Sequence, residues 1–206
     1  IIEGIKPNRQ NPRVVSGLGV IPRVVANGKE IYSGKLSKEA AIERLENFWD
    51  PYHSKLAELL DRARQQFGYS ILIDTHSMPH EAILNASSSF RTSQIVLGDR
   101  YGATCAPEII NDLIKLISKN GLRASRNIPF SGAYIVQKYG SPGLNRHAIQ
   151  LEIDRSIYMD ERKIQKLEKF HKLKNKLQNI MQDFSQIHTC LTSVSYTHLT
   201  LPTTGV

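Results

Sequence analysis

Short strand-like apolar segments repeatedly give way to segments whose apolar residues recur every three or four positions, and this interleaving restricts the fold more than any other feature. Strands interleaved with helices specify an α/β domain. Ser37 opens a helix with Glu39 in its first turn and Ala41, Leu45 and Phe48 at helical spacing. Pro51 interrupts that pattern and starts a second helix, with Leu56, Leu59, Leu60 and Ala63 on its apolar face and Gly68 beyond it. Residues 70–74 (SILID) form a short apolar run of the buried-strand kind, and residues 94–97 form another. Residues 107–120 predict a helix with Ile110, Leu113, Ile114 and Ile117 on one side and Gly121 just past its end. Residues 133–137 and 147–153 complete the predicted strands. After Asp160 one long amphipathic helix, carrying Ile164, Leu167, Phe170, Leu173, Leu177 and Met181, is expected to pack across the sheet. The Gly/Pro-bounded section 17–34 reads as a hairpin or irregular excursion.

A chain of 206 residues, 40% of them hydrophobic, can bury one sizeable core, so residues 1–192 are read as a single domain. No apolar run approaches the roughly 18–20 residues that cross a bilayer. The start also carries no basic stretch followed by an apolar signal region, so no membrane is expected and the cytoplasm is the simplest address. Cys105 and Cys190 lie far apart without a C-x-x-C partner, which points away from a disulfide framework or a thiolate zinc site. The formal charge of +8 raises the possibility of a basic nucleic-acid-binding protein. Much of that charge is local, however: residues 162–176 carry seven Lys and Arg against the single acid Glu168, on a helical pattern whose ordinary form is a solvated face. Residues 1–12 give no start signal for a helix or strand, and an N-terminal truncation is expected. Residues 194–203 (VSYTHLTLPT) resemble a transposon-end sequencing adapter translated in frame, so 193–206 are expected to be a non-native tail in which Tyr196 and His198 have no role.

Two places could carry chemistry. Asp74-Thr75-His76-Ser77 sits where a buried strand runs out into a loop, the position at which open α/β sheets collect ligands. Asp74 and His76 point to the same side of that strand. A histidine so placed can offer one ring nitrogen to zinc, or can simply be a hydrogen-bonded strand-end residue. His80 follows four positions on, but Pro79 argues against a helical His-x-x-x-His pair. The second place is HAIQLEIDR, in which Ile149, Leu151 and Ile153 share one face and Gln150, Glu152 and Asp154 the other. A carboxylate on such a strand is either paired, with Arg155 the obvious partner, or a general base.

Six blocks in order, GLGVIPR (17–23), WDPYHSKL (49–56), DTHSMP (74–79), LGDRYG (97–102), RNIPFSGAY (126–134) and EIDRSIYMDE (152–161), resemble the N-formylglutamate amidohydrolase family over residues 17–181. The resemblance implies an α/β, three-layer, mixed-sheet fold of the zinc-exopeptidase (phosphorylase/hydrolase-like) kind, akin to the metallocarboxypeptidases and here incomplete at the N-terminus. It implies His76 as a ligand of a single zinc ion, with Asp74 and Ser77 supporting it, and Glu152 as the catalytic carboxylate. The substrate implied is a small N-acylated acidic amino acid, N-formyl-L-glutamate above all, cleaved to formate and L-glutamate late in histidine breakdown. A relative acting on another N-acyl amino acid is the alternative.

Arg126 and Arg155 are the candidate forks for the substrate's carboxylates, with Asn127 and Tyr134 adding hydrogen bonds and Gly132 admitting close backbone approach. The family's earlier His-Ser-Gly motif and its downstream acidic ligand are not found in this sequence, and the remaining zinc ligands are expected in a missing N-terminal part. Asn8-Arg9 could be the remnant of an Asp-x-Asn-Arg motif, with Lys6 standing where the aspartate belongs. His53 is expected to pack or to shape the pocket.

Overall fold

The computed structural model describes residues 12–25, 28–86 and 90–190; Lys6, Asn8, Arg9 and the expected tail 193–206 lie outside the described residues. The chain divides into two compact units, one ending at Glu58 and the other beginning at Leu59.

Among the described residues of the first unit, the single-turn helix α1 (Pro12–Val15) comes first. The excursion at 17–34 contains a narrow hairpin in which Val24 bridges Glu30 in antiparallel fashion and Ile31 N–H donates to the Arg23 carbonyl at 2.9 Å. Helix α2 (Lys38–Arg44) begins where Ser37 predicts, the Ser37 hydroxyl accepting from Ala40 N–H at 3.1 Å. The expected interruption at Pro51 is a change of pitch. A π-type turn over Leu45–Trp49 leads directly into α3 (Asp50–Phe67), with Asp50 N–H closing on the Leu45 carbonyl. Pro51 has no N–H for an α ladder, and the wider turn before it carries the helix past that gap. His53 is buried, its ring 4.2 Å from that of Trp49 and 5.2 Å from that of Tyr52, as the packing expectation has it.

The second unit is built on a four-stranded sheet in the order β1 (Ser70–Met78), β4 (Arg146–Asp154), β2 (Ile95–Gly98), β3 (Ala124–Arg126). β1 runs parallel to β4, β2 antiparallel to β4, and β3 parallel to β2, so the sheet is mixed. Alternation gives it two unlike faces. Ile95, Leu97, Ile149, Leu151 and Ile153 form one continuous core with α5 (Pro107–Lys119) and α7 (Phe170–Cys190), to which these helices contribute Ile110, Leu113, Ile117, Leu173, Ile180 and Phe184. On the other face Met78 and Val96 cluster with Ile83 of α4 (His80–Leu84) and with Phe130. Cys105 is a free, buried thiol in the larger core, pushed up to about 12 first of all by burial. Among the described residues no helix is long and apolar enough to cross a membrane.

Two expectations are corrected. Residues 133–137 are not a strand: Tyr134–Tyr139 is the short helix α6, which buries Val136 and Tyr139 at a helical spacing of three. The long helix does not begin after Asp160. Met159–Asp160 (β5) pairs with Gln165–Lys166 (β6) in a two-stranded hairpin, and α7 starts at Phe170. The Asp160 carboxylate accepts from the backbone N–H groups of Arg162 and Lys163 at 2.9 and 3.0 Å, an aspartate turn that competes with helix at that point. The basic run 162–176 is therefore shared between a hairpin and a helix start.

Candidate active site

On the face opposite the large core, β1 and β4 place Asp74 beside Gln150, His76 beside Glu152 and Met78 beside Asp154. From the other side, antiparallel β2 sets Val96 against Glu152. His76 and Glu152, expected to share one cleft, thus stand on adjacent strands at the same rung and on the same face. The His76 side chain is 46% exposed, whereas Glu152 is buried.

Glu152 is held at one oxygen only. Its Oε1 accepts from Gln150 Nε2 at 2.8 Å, while Oε2 is buried with no hydrogen-bond partner. Burial is the main reason its carboxyl is raised above the ordinary value; the neighbouring His76, the Gln150 bond and Arg155 pull it back, and Asp74 adds to the rise. His76 Nε2 lies 3.1 Å from Asp74 Oδ2 but off the line of a hydrogen bond, so that oxygen too is buried without a hydrogen-bond partner. The paired reading of Glu152 fails at Arg155. That guanidinium instead clips the end of β1, Nε donating to Ser77 Oγ and Nη2 to the Ser77 carbonyl, both at 3.2 Å.

Gln150, whose place in the sequence gives no sign of a role, joins Glu152 to a loop. Ala133 N–H donates to Gln150 Oε1 at 2.7 Å. The loop reaches the sheet because Gly98 has no side chain: a Cβ there would stand 2.5 Å from the Gly132 nitrogen. Gly132 itself holds φ 107, a conformation that favours glycine. Tyr134, half-exposed, opens α6 immediately afterwards.

Two residues beyond Glu152 on the same face, buried Asp154 is fully engaged. Its Oδ1 accepts from Ser156 N–H at 2.9 Å, and its Oδ2 lies 2.8 Å from His80 Nδ1. His80 therefore belongs to this end of the sheet through Asp154, an arrangement that its spacing from His76 does not reveal. Arg126 and Asn127 form a separate network around Asp99, which is 0% exposed. Arg126 grips Asp99 with Nε at 3.1 Å and Nη2 at 2.5 Å, which holds its guanidinium above the usual value. The Asn127 carboxamide bonds Asp99 at both ends. Among the described residues no hydrogen bond or ion pair joins this network to Glu152, and the register sets Arg126 beside Leu97, which faces the large core.

The profile of the N-formylglutamate amidohydrolase family matches residues 5–159. This chain belongs to that family. An N-formylglutamate deformylase from Pseudomonas putida is 32% identical over 169 residues, covering 78% of this chain and 61% of the relative. One from Pseudomonas aeruginosa is 33% identical over 150 residues, covering 69% and 54%. The chain thus spans somewhat more than half the length of these relatives. A crystal structure of N-formylglutamate amidohydrolase from Ralstonia eutropha superposes with a TM-score of 0.77 at 28% identity, covering 93% of this chain and 68% of that one. The mixed α/β architecture is that of an N-formylglutamate amidohydrolase.

Zinc can be weighed against the donors present. Among the described residues no group of three or more His, Cys, Asp or Glu side chains is arranged to hold a metal ion. What is present fits part of a zinc site. The 3.1 Å between His76 Nε2 and Asp74 Oδ2 is close to the spacing of two ligands on one tetrahedral zinc at about 2.0–2.2 Å. The buried, unpartnered oxygens of Asp74 and Glu152 are of the kind a cation satisfies.

Proposed function

We propose that this chain contributes Glu152 as the base and His76 as a ligand to a zinc-dependent amidohydrolase centre that cleaves N-acylated acidic amino acids, N-formyl-L-glutamate to L-glutamate and formate first among them. The observation that supports this most is the buried Glu152 carboxylate, with one oxygen tied to Gln150 and the other unpartnered, on the same rung as His76. The names of the relatives supply the substrate.

Glu152 Oε2 accepts a proton from water as the water oxygen bonds to the formyl carbon. When the carbon–nitrogen bond breaks, the same carboxyl returns that proton to the departing amine, so one water is consumed and no other reactant is needed. His76 would hold zinc, with Asp74 at its side and with further ligands from beyond the described residues. When bound, the ion supplies polarisation of the amide carbonyl and acidification of water. Arg155 uses Nε and Nη2 on Ser77, which leaves Nη1 for a substrate carboxylate. Arg126, tied by two nitrogens to Asp99 and set beside Leu97 on the core side of the sheet, and Asn127, which steadies that pair, are left out of the substrate site. Tyr134 and the Gly132 backbone border the loop above Gln150.

Formate release tests the reading. The zinc-loaded protein is expected to hydrolyse N-formyl-L-glutamate faster than the N-acetyl and N-succinyl analogues and to lose the activity on chelation. Equal or greater rates with the bulkier acyl groups would transfer the assignment to another N-acyl substrate, and no release from any of them would end it.

A further inference from the structure

We infer that Gln150 is a positioning residue that locks the Glu152 carboxylate to the Ser131–Ala133 loop, so that the loop sets which carboxylate oxygen can take a proton. This rests on the assignment of Glu152 as the base. The Gln150–Glu152 bond is buried, Gln150 being 4% exposed and Glu152 8%, and the Ala133–Gln150 bond is half-buried at the edge of the loop. Their direction is also fixed. Ala133 N–H can only donate, so it must face the Gln150 carboxamide oxygen. The amide NH2 is thereby turned to Glu152, where it donates to Oε1. Turning the carboxamide over would set two donors against each other at Ala133 and two acceptors against each other at Glu152.

The loop end of the relay is no less constrained. The absence of a side chain at Gly98 lets the loop backbone lie against the sheet, and Arg100 N–H donates to the Ser131 carbonyl at 2.7 Å while Arg100 Nη1 donates to the Gly132 carbonyl at 3.3 Å. Ala133 also caps α6, whose first residue is Tyr134. A shift of this loop is therefore passed by two short bonds to the base. With Oε1 committed to Gln150, Oε2 is the oxygen left to accept the proton. Neither strand neighbour can substitute, because Val96 is apolar and His76 belongs to the proposed metal ligands.

Gln150→Met removes both bonds with a side chain of similar length, whereas Gln150→Glu keeps an acceptor for Ala133 N–H and removes the donor to Glu152. In the zinc-loaded protein both variants are expected to lose about tenfold to a hundredfold in kcat, the scale of a misplaced catalytic group. KM and zinc content should stay within twofold. Exchange of the Ala133 amide proton should quicken in Gln150→Met and stay slow in Gln150→Glu. A kcat within twofold of wild type in both variants would overturn the inference. A crystal structure of Gln150→Met decides it separately from any hydrolysis: a Glu152 carboxylate turned out of its wild-type orientation supports the relay, and an unmoved one overturns it. If wild type itself releases no formate, the proposed function fails while this structural comparison still decides the positioning.

Discussion

The two faces of β4 share one backbone and one sheet yet serve opposite ends. Ile149, Leu151 and Ile153 meet apolar partners from β2, α5 and α7 and are 8% exposed or less. Gln150, Glu152 and Asp154 are buried to the same degree on a face where Asp74 and His76 stand beside the apolar Met78 and Val96. A carboxylate placed there costs stability unless its oxygens are all engaged. Asp154 engages both oxygens, through Ser156 and His80; Glu152 engages one. Two buried acids two residues apart therefore differ in how they are held: Asp154 is satisfied structure, and Glu152 keeps one oxygen unpartnered, the oxygen proposed above to take part in the reaction.

The contrast can be broken most forcefully on the apolar face. Ile149→Ala, at a residue 0% exposed, is expected to cost about 2–5 kcal/mol in chemical denaturation through lost burial and a residual cavity. Glu152→Gln, three residues along the same strand but on the opposite face, should cost nothing or add stability at neutral pH. A loss there comparable with Ile149→Ala would show that Glu152 is structural. Asp154→Ala comes next, at about 1–3 kcal/mol, because it strands the Ser156 N–H and releases His80. A smaller effect is expected in the pH dependence of stability. Burial raises the Glu152 carboxyl, so in the window between its ordinary and its raised pKa the metal-free native state binds more protons than the unfolded chain. Its contribution to stability therefore falls as pH climbs through that window. Denaturation midpoints of metal-free wild type relative to Glu152→Gln should decline from acid to neutral pH, and a constant difference would refute the asymmetry.

What could be read from the sequence follows the same division. The apolar run SILID marks β1 and the alternation in HAIQLEID marks β4 because each strand packs against a large apolar core, and the spacing of Ile110, Leu113 and Ile117 marks α5 for the same reason. His76 and Glu152 could be nominated because their types are unusual on such strands. Five residues at 133–137 fit either period, and the Gly132 turn together with the burial of Val136 and Tyr139 decides for helix. The Asp160 turn interrupts an otherwise helical pattern through side-chain bonds that periodicity does not register. Gln150 and the His80–Asp154 pair were illegible for a different reason: each depends on a partner far along the chain, Ala133 in one case and β4 in the other. The Asp99 network likewise shows that an arginine beside an asparagine can be committed internally, which composition does not reveal.

The most direct measurement of the central claim is formate release from N-formyl-L-glutamate by zinc-loaded Glu152→Gln beside wild type, with bound zinc quantified in both. We predict equal zinc and a kcat lower by about a hundredfold to ten-thousandfold, the share of a positioned general base. Equal zinc with an unchanged kcat would contradict the account, because the unpartnered oxygen on the polar face would then have no part in the reaction.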